Sequence, residues 1–158
     1  MINPNLAYWN YLFYLSKYYE FIDTFIIILR GRKPPFLQLF HHIGAVTGMW
    51  LICITGSHGT TFFTVNNSFI HTIMYSYYAL NVIGYKFPLK SLITLLQIIQ
   101  LMIGFFGSLY FAFAYSSCAS FGELLCLTYH WFYVGYLIYL FIQFYSNAYN
   151  QNKVKKSL

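Results

Sequence analysis

Five long apolar stretches govern what this chain can fold into: Leu6 to Leu29, Phe36 to Ile54, Phe62 to Ile83, Ser91 to Ala114 and Gly122 to Phe144. A helix of ~20 residues rises ~30 Å, the hydrocarbon thickness of a bilayer, so each stretch is long enough to cross one. The breaks between them carry residues that end helices: Gly31 through Pro35, Gly56 through Thr61, Tyr85 through Lys90 around Pro88, and Tyr115 through Phe121. With 8% charged against 59% hydrophobic residues, the chain lacks the polar surface that a soluble domain of 158 residues requires. The expectation is an all-α polytopic membrane protein with five crossings: a single transmembrane catalytic domain over residues 1–149, then a basic tail over 150–158.

Basic residues near span ends stay on the cytoplasmic side of a membrane. Here Arg30, Arg32 and Lys33 follow the first stretch, Lys86 and Lys90 the third, and Lys153, Lys155 and Lys156 the fifth, while the other two loops carry none. The N-terminus is therefore expected outside or in the lumen, and the C-terminus in the cytosol. This topology accounts for the net charge of +6, so no nucleic-acid-binding face is needed to explain it. The start lacks the basic region and small-residue cleavage site of a signal peptide, so the first span is expected to be retained. Among Cys53, Cys118 and Cys126, a disulfide near the lumenal face is permitted, but the simpler expectation is two small buried hydrophobes and one loop thiol.

Ionisable groups at membrane depth are costly and normally mark a function. In the first stretch Lys17, Glu20, Asp23 and Thr24 fall within one third of a helix circumference, so they face the protein interior. Gln38 shares a face with His41 and His42 in the second. Asn67, His71, Met74 and Tyr78 form a stripe in the third, and Thr94, Gln97 and Gln100 recur at steps of three in the fourth. At a rise of ~1.5 Å per residue, Asp23, His41 and Gln97 lie ~10 Å from the cytosolic ends, Glu20 and Gln100 ~15 Å, and Lys17 and His71 ~20 Å. These groups can converge in one pocket open to the cytosol. His58 and His130, each alone among apolar neighbours, are expected to be satisfied core residues.

Paired histidines suggest a metal, yet five histidines are too few for a membrane di-iron site. A zinc site of His41 or His42 with His71 and Asp23 is the metal alternative; the favoured reading has no metal and no cofactor. An apolar chamber holding imidazoles, a carboxylate and amides suits acyl transfer, in which imidazole attacks a thioester or takes a proton beside a carbonyl. Amide and hydroxyl donors can then stabilise the oxyanion or enolate. A polar-lined transporter is the rival class, but it needs an aqueous route to both faces, and the polar groups here are weighted toward the cytosolic half.

Four motifs, Lys17-x-x-Glu20-x-x-Asp23-Thr24, Gln38-x-x-His41-His42, Asn67-x-x-x-His71-x-x-Met74-Tyr75-x-Tyr77-Tyr78 and Thr94-x-x-Gln97-x-x-Gln100, resemble in order and spacing the signatures of the ELO very-long-chain fatty-acid elongases. The resemblance runs from about Leu12 to Tyr149. It implies a multi-pass condensing enzyme of the endoplasmic reticulum, a 3-ketoacyl-CoA synthase that joins malonyl-CoA to a long acyl-CoA and releases CoA and carbon dioxide. By this resemblance His41 is the imidazole nucleophile and His71 assists malonyl binding, decarboxylation or proton transfer. His42 orients or polarises, while Lys17, Glu20 and Asp23 hold and tune the histidines. Gln38, Asn67, Tyr75, Tyr78, Gln97 and Gln100 shape the pocket and bind carbonyl or CoA groups. The implied partners are membrane lipid and the separate ketoreductase, dehydratase and enoyl reductase of the elongation cycle, with a homodimer left open. Lys155-Lys156 resembles a dilysine retrieval signal. The chain departs from the family pattern in two respects. Gln38 stands where the histidine box usually begins, and the family's seven spans are five here, as though the first two were missing, which predicts an acyl tunnel open on one side and allows a fragment or an inactive relative.

Overall fold

The computed structural model describes residues 4–57, 61–115 and 120–150. Among these residues there is no strand. The helices are α1 (Pro4–Tyr19), α2 (Phe21–Leu29), α3 (Phe36–Thr55), α4 (Thr61–Val82), α5 (Lys90–Tyr115) and α6 (Phe121–Tyr145), followed by a π-helical turn over Ser146–Asn150. His58, Cys118 and the lysines of the tail lie outside the described residues.

The ends of these helices follow from local chemistry. Pro35 precedes α3 in extended conformation (φ −60°, ψ 146°), which its ring favours, and Gly56 stops that helix in the left-handed region (φ 65°) with its N–H on the Ile52 carbonyl. A reciprocal capping box opens α6: Ser120 Oγ accepts from the Glu123 N–H, and the Glu123 carboxylate accepts from the Ser120 N–H.

The first predicted span differs from expectation. It divides at Glu20 into helices of 16 and 9 residues. Glu20 keeps helical dihedrals, but the Asp23 N–H bonds to the Glu20 carbonyl at 3.3 Å, three residues back, which tightens the path. The side chain of Glu20 is drawn inward by its partners at the same point. By length and composition three helices suffice to cross a membrane: Phe36–Thr55, Lys90–Ala114 and the α6 rod. The α1–α2 pair is too short in each piece, and α4 is long enough but carries Asn66, Asn67, Ser68 and His71.

The rods close a ring. α1 packs on α3, α3 on α6, α6 on α5, α5 on α4, and α4 back on α1. With no hydrophobic drive between helices inside lipid, close packing does the work, and small residues permit it. A methyl group at Gly44 would stand 2.0 Å from the Tyr133 ring, and one at Gly104 would stand 2.5 Å from the Phe63 ring. Large apolar residues such as Trp9, Phe25, Phe69, Phe113 and Phe132 point outward, as a lipid-facing surface requires. The polar residues of α1 through α5 are left inside the ring.

Candidate active site

Lys17 is the centre of the polar interior and is only 3% exposed. Its ammonium donates to Glu20 Oε1 at 2.7 Å and to Asn67 Oδ1 at 2.8 Å, and it sits 4.2 Å from the centroid of the Phe13 ring. Asn67 in turn approaches Gln100, Nδ2 to Oε1, at 3.5 Å. Buried charges survive only when paired and hydrogen-bonded, and here α1, α4 and α5 supply the partners. His71 brings its Nδ1 within 3.2 Å of the same Glu20 oxygen, out of line for a hydrogen bond. Glu20 Oε2, His71 Nδ1 and Gln100 Nε2 are buried without hydrogen-bond partners. Three unsatisfied polar atoms in one cluster are uncommon in a folded interior and suit a site that completes its bonding with a ligand.

The imidazoles meet beside this cluster. The ring centroids of His41 and His71 are 5.9 Å apart, and those of His41 and His42 are 5.6 Å apart. His42 is buried and turns toward α2, where its Nδ1 is 3.2 Å from Thr24 Oγ1, a hydroxyl that also accepts from Gln38 Nε2 at 3.1 Å. The predicted face-sharing of Gln38 and His42 thus becomes a bridge through Thr24. Asp23 accepts from the Tyr75 hydroxyl at 2.7 Å. Gln97 Nε2 reaches Met74 Sδ at 3.2 Å.

All of the predicted site residues except Lys17 and Glu20 line one cavity of about 620 Å³. Its outer wall includes Arg30, Pro35, Lys90 and Phe144, at the ends of α2 and α6 and the starts of α3 and α5. Its mouth is therefore at the end of the bundle where the basic residues of the described loops gather. Lys17 instead faces a second, narrow space of about 40 Å³ that shares His41 and Asn67 with the large cavity and continues along α3 and α6 past Gly44, Gly48, Met49 and Ile52. Beyond it lies a third cavity of about 280 Å³ among Phe62, Phe63, Gly104 and Ser108; Phe63 and His130 line both.

The carboxylate grouped with the histidines is Glu20 rather than Asp23, which accepts from the Tyr75 hydroxyl. Glu20, His41 and His71 do offer ligand atoms within 4.8 Å of one another. The Lys17 ammonium already occupies the Glu20 oxygen nearest His71, and its charge opposes a divalent ion at that point.

One residue at the site escaped the sequence reading. Tyr133 on α6 places its hydroxyl on His41, 2.8 Å from the carbonyl oxygen and 3.3 Å from Nδ1. The Gly44 and Gly48 pair on α3 opposite Tyr129 and Tyr133 on α6, each pair four residues apart, is the signal that could have found it, had the contact between α3 and α6 been known. His130, expected to be a satisfied core residue, is buried against Phe63 at 5.0 Å between ring centroids, but its Nε2 has no hydrogen-bond partner. Cys53 and Cys126 are free, and Cys126 is buried against the Thr55 hydroxyl at 3.0 Å.

The GNS1/SUR4 (ELO) family profile covers residues 2–157. The chain is 33% identical over 155 residues to fatty acid elongase 5 of Leishmania major, an alignment that spans 95% of this chain and 60% of that protein. It is 37% identical over 110 residues to fatty acid elongase sre1 of Dictyostelium discoideum (65% of this chain, 39% of the relative). It is 40% identical over 105 residues to very long chain fatty acid elongase 6 of Gallus gallus (65% and 40%). The chain therefore spans between 39% and 60% of the length of these relatives. No solved structure matches. A profile match over nearly the whole chain, with the four motifs gathered in one ring of helices, establishes it as a multi-pass membrane member of the ELO (GNS1/SUR4) family.

Proposed function

We propose that this chain carries the condensing centre of a fatty-acid elongase, a 3-oxoacyl-CoA synthase acting on malonyl-CoA and a long-chain acyl-CoA. The observation that carries the reading is the approach of His41 and His71 to the Lys17–Glu20 pair at the inner end of a cavity whose mouth holds Arg30 and Lys90. A CoA ester carries anionic phosphates at one end and an apolar chain at the other, with the reacting thioester between them. The cavity has matching chemistry in that order: cations at the mouth, imidazoles and amides within, and apolar walls along α3 and α6.

In the proposed reaction His41 attacks the acyl thioester carbonyl, forming a C–N bond, and CoA leaves as thiolate. Malonyl-CoA then loses carbon dioxide, and the electron pair released becomes an enolate that attacks the acyl-imidazole. The new C–C bond frees His41, and the CoA thiolate takes up one proton. The unpartnered Gln100 Nε2 and the Asn67 amide are the donors available to a developing oxyanion, and His71 is placed to move a proton at the same centre. Tyr75, Tyr78 and Gln97 shape the wall nearer the mouth, and Asp23 fixes Tyr75.

Family membership and the placement of basic residues support an endoplasmic-reticulum setting with the C-terminus cytosolic, where Lys155-Lys156 would be readable as a retrieval signal. A ketoreductase, a dehydratase and an enoyl reductase would then process the product, and two copies of the chain could associate. The test is carbon-14 incorporation from malonyl-CoA into 3-ketoacyl product by microsomes expressing the chain beside His41→Ala. Incorporation lost in the variant is the expected result. Equal incorporation by both proteins refutes the role of His41, and absence from wild type, while an upstream-extended form incorporates label, refutes activity of this polypeptide alone.

A further inference from the structure

Tyr133 makes two contacts with one residue, and together they decide where a proton sits. The hydroxyl donates to the His41 carbonyl oxygen at 2.8 Å, which commits its only proton. The same oxygen is 3.3 Å from His41 Nδ1. With its hydrogen directed to the carbonyl, the tyrosine oxygen faces Nδ1 as an acceptor, so the favourable partner there is an Nδ1–H. A neutral imidazole carries one N–H, and the other nitrogen then bears the free lone pair. We infer that Tyr133 holds His41 in the Nδ1–H tautomer and so leaves Nε2 as its nucleophilic nitrogen.

The tyrosine is fixed well enough to impose this. Its ring stacks on Tyr129 at 5.7 Å between centroids and lies against Phe40 at 5.6 Å. Gly44 supplies the notch: a methyl group there would stand 2.0 Å from Tyr133 Cε2, so any larger residue expels the ring. Tyr129 secures the neighbouring turn by donating its own hydroxyl to the Gly44 carbonyl at 2.9 Å. Tyr133 is therefore a positioning residue, acting through His41 without itself needing to reach the substrate. Group after group along the α3–α6 contact serves the orientation of one imidazole, as carboxylates and carbonyls do for histidines elsewhere.

The inference rests on His41 as the reacting group for its purpose, but its test does not. The 158-residue chain, labelled with ¹⁵N-histidine and held in detergent micelles, reports each imidazole tautomer through its ring-nitrogen shifts, with His41 assigned by its loss in His41→Gln. Wild type should show His41 as Nδ1–H. Tyr133→Phe should move it to Nε2–H or to a mixture, while Tyr129→Phe, which removes the neighbouring hydroxyl of the same helix that donates to the Gly44 carbonyl, should leave it unchanged. In the condensation assay Tyr133→Phe should lower kcat at least ~10-fold with KM for acyl-CoA little changed, the pattern of a lost transition-state group. An Nε2–H His41 in wild type, or an unaltered tautomer in Tyr133→Phe, overturns the inference, and the wild-type spectrum alone decides it if the variant does not fold. The expected tautomers in a protein that condenses nothing would leave the positioning role standing and remove the proposed reaction instead.

Discussion

The two halves of the bundle are built on opposite principles. Toward the ends bearing Arg30 and Lys90, the helices part around a cavity of about 620 Å³ walled by histidines, amides and tyrosines. Toward the other end α3 and α6 close on each other, glycine against tyrosine, and leave a cleft of about 40 Å³. The Lys17–Glu20–Asn67 knot stands at the boundary, where α1, α4 and α3 meet. Polar side chains line the inner faces where the helices part, and glycines stand where α3 and α6 approach most closely. A ring of rods can do both because each helix carries one kind of residue along one part of its inner face and another kind beyond it.

The sharpest way to break that contrast is to unbalance the knot at its boundary. Lys17→Met leaves the Glu20 carboxylate buried without its partner, and should destabilise the chain by about 3–5 kcal/mol, read as thermal unfolding in detergent. Lys17→Met with Glu20→Leu should recover most of that loss, because removing both charges also removes the uncompensated one. A single variant as stable as wild type would mean that water reaches Glu20 and that the knot is not a dry boundary.

The narrow half is tested next at Phe63, whose ring and His130 stand between the cleft and the third cavity of about 280 Å³. Phe63→Ala joins the two spaces, and product analysis by mass spectrometry should show longer acyl chains with total turnover reduced only a few-fold. An unchanged length distribution would place the end of the acyl chain elsewhere. The wide half predicts the smallest effect. Arg30→Ala and Lys90→Ala, at exposed positions screened by salt, should each raise KM for acyl-CoA roughly two- to five-fold, and the difference should fade as ionic strength rises. Equal effects at low and high salt would argue against phosphate contact at the mouth.

Much of the wide half could be read in the sequence. Costly groups such as Lys17, His41, His71 and Gln100 stand out against apolar surroundings, and helical spacing alone puts them on inner faces. At the other end the stop at Gly56 opened a break the sequence marked, while the capping box at Ser120 was not read. The narrow half was not legible, since in lipid an apolar residue is at home on either side of a helix. Phe132 is 78% exposed and Val134, two residues on, is fully buried, yet hydropathy does not separate them. Tyr133 was missed for the same reason: its meaning depends on Gly44, 89 residues away, and on which helices touch. The break at Glu20 was missed because no glycine or proline marks it; Glu20 keeps helical dihedrals and pairs with Lys17 one turn back and with His71 on α4.

His41 as acyl carrier is tested by giving the purified chain a long-chain acyl-CoA without malonyl-CoA and measuring its intact mass, with peptide mapping of any adduct. The expected result is a mass increase of one acyl group on His41, absent in His41→Ala and discharged when malonyl-CoA is added. Condensation that proceeds with no acylated His41, or an acyl group carried on another residue, would contradict it.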